Sequence, residues 1–297
     1  MGGRGARGGY RPGGGGGGRV PGGGGGGGII GGSGGRGLVG GGGAGGAGGR
    51  PLPPGQGPPG TGGAPGAPIQ GRFERQDGAL TAKYRKQLED RFKEGDDTAK
   101  RVYDNYIPRG GAVSNGSSRD GACYRPYNND IEMNFRKDSA ANGKEAGATW
   151  FHEHGHYLDH NAGLPSRNDA FYRAIVNDIR AFEDKWLSDH GISREDITEL
   201  QLRKDIGREM ARKGGVLTHA IQDIYGGVYR EYNAFSGGTT MWGHSWDYWT
   251  RGNQSMEVTS ESWAHMFNAA FSVREQAAIR EYLPSAWDWF QRRLGGI

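Results

Sequence analysis

The sequence predicts an α+β domain, mainly helical with a small sheet, preceded by a disordered glycine-rich tail. Three observations carry this. Apolar residues recur at helical spacing through most of the chain after residue 78. One short segment, with Ile131, Met133 and Phe135 alternating against Glu132 and Asn134, has the period of a half-buried strand. Composition changes abruptly near residue 71: residues 1–71 hold 38 of the 60 glycines, 9 of the 13 prolines, six arginines and no Asp or Glu. Such a segment cannot bury enough apolar surface to offset its ordering entropy.

The tail also explains the charge. Residues 72–297 carry 31 basic and 33 acidic residues, so the net +4 of the chain belongs to the tail. The tail's first residues, Gly2-Gly3-Arg4-Gly5-Ala6-Arg7-Gly8-Gly9-Tyr10, look like an Arg/Gly-rich RNA-binding segment. Six arginines over 71 residues make a thin charge density, however. A flexible linker or tether is the better reading, and nucleic acid is not an expected partner. A body of 226 residues suits one domain with a sizeable core. The single cysteine, Cys123, excludes an internal disulfide and reads as a small buried apolar residue. No run of 18 apolar residues suggests a membrane span, and no apolar N-terminal stretch suggests a conventional secretory leader.

Residues 78–106 read as helix, with Leu80, Tyr84, Leu88 and Phe92, then Val102, Tyr103 and Tyr106, near helical spacing. Gly95-Asp96-Asp97 divides this into two pieces, an Asp capping the second. Gly110–Gly121 reads as loop, Asn128-Asn129 as a turn, Ile131–Phe135 as the strand and Lys137–Gly147 as a polar loop. A helix from Ala148 stops near Gly163, before Pro165. Asn168–His190 is strongly amphipathic, with Phe171, Ile175, Ile179, Phe182 and Trp186 on one face. Ser193 opens a charged helix to about Arg212. A shorter helix spans Gly215–Tyr225 and ends at Gly226-Gly227. Val228–Gln254 is irregular, aromatic and Gly-rich; helix resumes over Glu257–Phe271, and two short helices flank Pro284.

The helix from Ala148 contains His152-Glu153-x-x-His156, the pattern H-E-x-x-H. Residues four apart share a helix face, so two imidazoles can grip one Zn²⁺ while the intervening Glu faces the open coordination position. That pattern points to a zinc hydrolase of the peptidase kind. Gly155 sits inside the same helix, where Gly costs about 1 kcal/mol against Ala, and a close neighbour or ligand is the expected reason. The strand at Ile131–Phe135 is a place where an extended substrate could add as another strand.

A catalytic site needs a third protein ligand. His160 lies too far along the axis from His152 for both to reach one ion. Asp159 suits a hydrogen bond to a ligand imidazole. Glu261 is the preferred third ligand, on a helix anchored by Trp263 or Ala264 and Phe267; Glu257, one turn earlier, is its rival, and His265 a weaker one. His154 faces away, as a surface or hydrogen-bonded core histidine, and His190 and His219 read as ordinary helix-surface residues.

His152-Glu153-x-x-His156-x-x-Asp159 followed by Glu261-x-Trp263-Ala264-x-x-Phe267 resembles gluzincin-type metallopeptidases. It looks most like the zincin-like domain of phage minor head (head-morphogenesis) proteins, and at its motifs like the catalytic domain of anthrax lethal factor. Asp130–Asn134, Asp223–Gly227 and Gly243-His244-Ser245-x-x-Tyr248-Trp249 follow the phage-associated group in order and spacing. The resemblance covers Ala122–Pro284. It implies a zincin-like fold for a catalytic core at 122–284, which the helices read at 72–110 precede. It also implies Zn²⁺ on His152, His156 and Glu261, with Glu153 as general base. His244 and Tyr248 are candidate oxyanion donors, the alternative for Tyr248 being an aromatic plug with Trp246 and Trp249. The implied activity is a zinc-dependent endopeptidase acting on a phage structural or scaffold protein, or on itself, in the virion or host cytoplasm. A virion structural protein with a vestigial metal site, or a zincin-type toxin effector, are the other settings.

Overall fold

Helix dominates, and one three-stranded sheet accompanies it, in the computed structural model of the chain, which describes residues 71–75, 77–115, 122–140, 144–214, 219–229, 244, 248, 249 and 253–297. The tail through residue 70 lies outside the described residues, as do residues 116–121 of the expected loop and most of Val228–Gln254, Trp242 and Trp246 included. The order is α1 (Ala82–Glu94), α2 (Asp97–Tyr106), β1 (Val113–Asn115), β2 (Ala122–Arg125), β3 (Asp130–Met133) and α3 (Phe135–Ser139). Then come α4 (Ala148–Asn161), α5 (Asp169–His190), a 3-10 turn at Arg194–Asp196, α6 (Glu199–Gly214) and α7 (His219–Tyr229). The chain closes with α8 (Gln254–Ala269), α9 (Val273–Tyr282) and α10 (Pro284–Gly295). No helix among the described residues is long and apolar enough to cross a membrane.

α4 lies at the centre. One face, with Trp150, Phe151 and His154, packs into an aromatic cluster of Phe73, Phe92, Tyr103 and Phe271. The helix also packs on α8, with Gly155 against it, and on β2 and β3. Gly147 precedes the helix and offers no capping side chain. Asp138 of α3 supplies the cap instead: Thr149 N–H donates to Oδ1 at 3.0 Å, Trp150 N–H to Oδ2 at 3.2 Å, and the Tyr84 hydroxyl to Oδ2 at 2.5 Å. Because one buried carboxylate satisfies two helix amides and a buried phenol, Asp138→Ala should cost about 2–4 kcal/mol. A urea midpoint that stays at the wild-type value would show the cap to be dispensable.

The sheet has the order β1-β3-β2, with β1 parallel and β2 antiparallel to β3. Ile131 pairs with both Val113 and Tyr124. The strand expected at Ile131–Phe135 is therefore central, bonded on both sides, and it ends at Met133. Phe135 opens α3, with the Asn134 side chain accepting from Lys137 N–H at 3.1 Å, so the polar loop expected from Lys137 begins as helix. Val113–Asn115, inside the expected loop, is strand because β3 offers it a partner.

Other boundaries shift for local reasons. Asp96 caps α2 as expected, accepting from Ala99 N–H at 2.7 Å. α7 does not stop at Gly226-Gly227 but runs to Tyr229. A Cβ on Gly227 would lie 2.9 Å from both Trp249 and Val258, so this glycine lets α7 pack closely inside a helix rather than end it. Cys123 is exposed on β2 and not buried, since alternate residues of this outer strand face away from α4. His219, expected at the surface, is buried on α7 with its ring 5.7 Å from that of His265.

Candidate metal centre

α4 and α8 approach more closely than two helices with ordinary side chains can. A Cβ on Gly155 would fall 2.8 Å from the Ala264 Cα and 3.1 Å from the Phe267 Cβ. Gly155 is one residue before His156, and Ala264 three residues after Glu261, so the bare contact sits beside the polar groups it brings together.

The Nε2 atoms of His152 and His156 lie 3.3 and 3.4 Å from Oε2 of Glu261. Three ligands about 2.0–2.2 Å from a tetrahedral zinc stand about 3.4 Å apart. Glu261 Oε2 is buried and makes no hydrogen bond. Two imidazole nitrogens thus face a buried carboxylate oxygen at ligand-to-ligand spacing. The His152 and His156 rings are nearly perpendicular, with centroids 4.9 Å apart. The tightest three-residue groups, with ligand atoms all within 4.8 Å, are His152/Glu261/His265 and Asp223/His244/Glu261. Glu261 is common to both. His156 is in neither, so a shared ion would draw it toward His152. The donor set of two imidazoles and one carboxylate suits Zn²⁺.

Electrostatics follow from burial and these neighbours. Burial, reinforced by His265, holds His152 well below the usual histidine range. Burial also disfavours charge on His156, but Glu261 and Glu153 outweigh it and push this group up to about 9. Burial opposes ionisation of Glu261, yet His244 and His156 hold it well below the carboxylate range. Glu153 is buried beside this cluster; desolvation raises it, as does the charge of Glu261, while His156 and the backbone of Tyr124 act the other way.

Tyr248 and His244 both reach the cluster. The Tyr248 hydroxyl donates to Oε1 of Glu261 in a short hydrogen bond. The His244 ring stacks on Tyr248 at 4.0 Å, and its Nε2 is 3.8 Å from Glu261 Oε1. Its Nδ1 is 3.0 Å from Asp223 Oδ2, and its backbone N–H donates to Oδ1 at 2.7 Å. Against the effect of burial, Glu261 and Asp223 push His244 up to about 10.

Glu257 is partly exposed and belongs to neither group. Asp159 does not hydrogen-bond a ligand imidazole; it accepts Ser166 N–H at 2.9 Å and the Ser166 hydroxyl at 2.6 Å, tying down the chain after α4. His160 hydrogen-bonds the Tyr124 hydroxyl, away from the cluster. His154 is fully buried, its Nδ1 2.7 Å from Trp150 O and its Nε2 accepting from Ala112 N–H at 3.2 Å. His190, as expected, lies on a helix surface, stacked on Trp186. Asp223 was assigned no role from the sequence. The signal available was one carboxylate beside Ile221, Ile224 and Tyr225, all fully buried. No family model, curated protein or solved structure was found to match the chain.

Proposed function

We propose that the chain is a zinc-dependent endopeptidase built on a zincin-like domain. The observation that carries this is the buried Glu261 Oε2, free of hydrogen bonds and at tetrahedral-ligand spacing from two imidazoles that share a turn with Glu153. His152, His156 and Glu261 would hold the ion. Bound zinc supplies Lewis-acid polarisation of the scissile carbonyl and of the attacking water. Glu153 accepts the proton that water loses and passes it to the leaving amine; its buried setting favours such exchange. His244, oriented by Asp223 and carrying a proton, is the donor to the developing oxyanion, because its Nε2 stays 3.8 Å from Glu261 Oε1 while the Tyr248 hydroxyl is committed to that oxygen.

The substrate is a protein or peptide. Since β3 is paired on both sides, the strand able to accept an extended chain is β2, an outer strand whose Tyr124 backbone lies beside Glu153. The motif order shared with phage head-associated domains makes a structural or scaffold protein, or the chain itself, the favoured target.

Elemental analysis should find one zinc per chain, and peptide-library cleavage should vanish on chelation and return with zinc. Protein purified without zinc, and unable to take it up, would end the reading. Glu261→Ala should lower zinc affinity beyond the roughly 10–100-fold typical of an outer partner, with Glu257→Ala nearly neutral. The reverse ranking, read by chelator competition, would move the third ligand to Glu257.

A further inference from the structure

We propose that Asn129, His160 and Asn161 form a latch that clamps Tyr124 of β2 to the last turn of α4, and thereby sets where the open edge of β2 stands relative to Glu153. The latch rests on the reading that β2 receives the substrate, but its first test does not.

The pairing of the sheet fixes which way Tyr124 presents its backbone. Ile131 donates its N–H to Ala112 O at 2.8 Å, so its backbone groups face β1. Its antiparallel partner on the other side is Tyr124. In an antiparallel pair, two opposed residues either both turn their backbone groups toward each other or both turn them away. The N–H and C=O of Tyr124 therefore face the open edge of β2, and Glu153 lies beside that N–H.

The side chain of the same residue is held by α4. Its ring packs edge-on against Tyr157, with centroids 6.0 Å apart. Its hydroxyl meets His160 Nδ1 in a short hydrogen bond and donates to Asn129 Oδ1 at 2.9 Å. Asn129 and Asn161 exchange a reciprocal pair of amide hydrogen bonds, at 3.1 and 2.9 Å. Asn161 is itself fixed by donating to Tyr157 O at 2.7 Å. Asn129 closes the turn between β2 and β3 with a φ of 51°, in the left-handed region where Asn is enriched. Bonds this close to solvent add modestly to stability; what the set fixes is position. Tyr124 thus reaches from Glu153 at its backbone to the end of α4 at its hydroxyl. A tilt of the hairpin would carry the open edge away from the base. Asn129, His160 and Asn161 are positioning residues.

Amide hydrogen exchange of the full chain reads the latch directly. The Tyr124 amide should exchange at least about tenfold faster in Asn161→Ala, Asn129→Gly and Tyr124→Phe than in wild type. The Cys123 amide, which faces β3, should keep its rate. Gly keeps the left-handed turn and Phe keeps the packing on Tyr157, so these variants remove hydrogen bonds and little else. An unchanged Tyr124 rate overturns the latch, whether or not the protein cleaves peptides. If the wild type cleaves none, the peptidase reading fails, and the exchange rates still decide the latch. Cleavage kinetics supply the second test. Each variant should raise KM about 3–10-fold, the weight of one net hydrogen bond, with kcat near wild type. A merely structural role would lower the fraction of active protein, seen as a lower kcat at unchanged KM, and that result overturns the proposal.

Discussion

Glu153→Gln should lower peptide cleavage by about 10²–10⁴-fold while leaving zinc content unchanged. The substitution keeps the size of the side chain and one carbonyl oxygen, so the buried pocket between α4 and β2 need not repack. What it removes is the ability to accept a proton. Glu153 is not one of the three residues proposed to hold the ion, so loss of its charge should spare metal binding. Single-turnover cleavage together with elemental analysis of both proteins checks this. Cleavage within a few-fold of wild type would exclude Glu153 as the base. Loss of zinc from the variant would instead make Glu153 part of the binding set.

Gly155→Ala should reduce zinc affinity at least 10-fold and destabilise the fold, although Ala is the better helix former by about 1 kcal/mol. The added carbon would meet the Ala264 Cα at 2.8 Å, and that atom is backbone, so it cannot swing aside. Restoring an ordinary carbon contact of about 3.5–4.0 Å moves α4 and α8 apart by close to 1 Å. Overpacking of this kind costs about 1–3 kcal/mol, more than the propensity gain at its upper end. Zinc sites tolerate only about ±0.2 Å in ligand distance, so widening the His152–Glu261 and His156–Glu261 separations weakens the grip on the ion. Calorimetric zinc titration and a denaturation curve give both quantities. A variant stabilised by about 1 kcal/mol with unchanged zinc binding would show that the helices have slack at this crossing.

What could be read from the sequence was what local spacing controls. Helical periodicity placed most helices within a few residues, and the four-residue interval put His152 and His156 on one face. The cost of a mid-helix glycine pointed to a close neighbour at Gly155, and the neighbour is the α8 backbone. The same cue misled at Gly226-Gly227, because a stop and a close contact look alike until Trp249 and Val258 are in place. Strand order was not legible: an alternating pattern shows that Ile131 and Met133 are buried, not that both edges of their strand are taken. β1 and α3 are short and draw on partners distant in sequence. The role of Asp223 lay out of reach for the same reason, since His244 and His265 come to it from 21 and 42 residues away.

The short bond from Tyr248 to Oε1 of Glu261 bears on denticity. A carboxylate with both oxygens free can chelate an ion through each of them. With Oε1 accepting from a phenol, Glu261 would present Oε2 more freely than Oε1 to an ion held with one nitrogen from each imidazole. A four-coordinate ion then retains a vacancy for an exchangeable ligand, the difference between a reactive centre and a merely stabilising one. In this reading the tyrosine governs turnover without touching the substrate, by rationing what the glutamate can give.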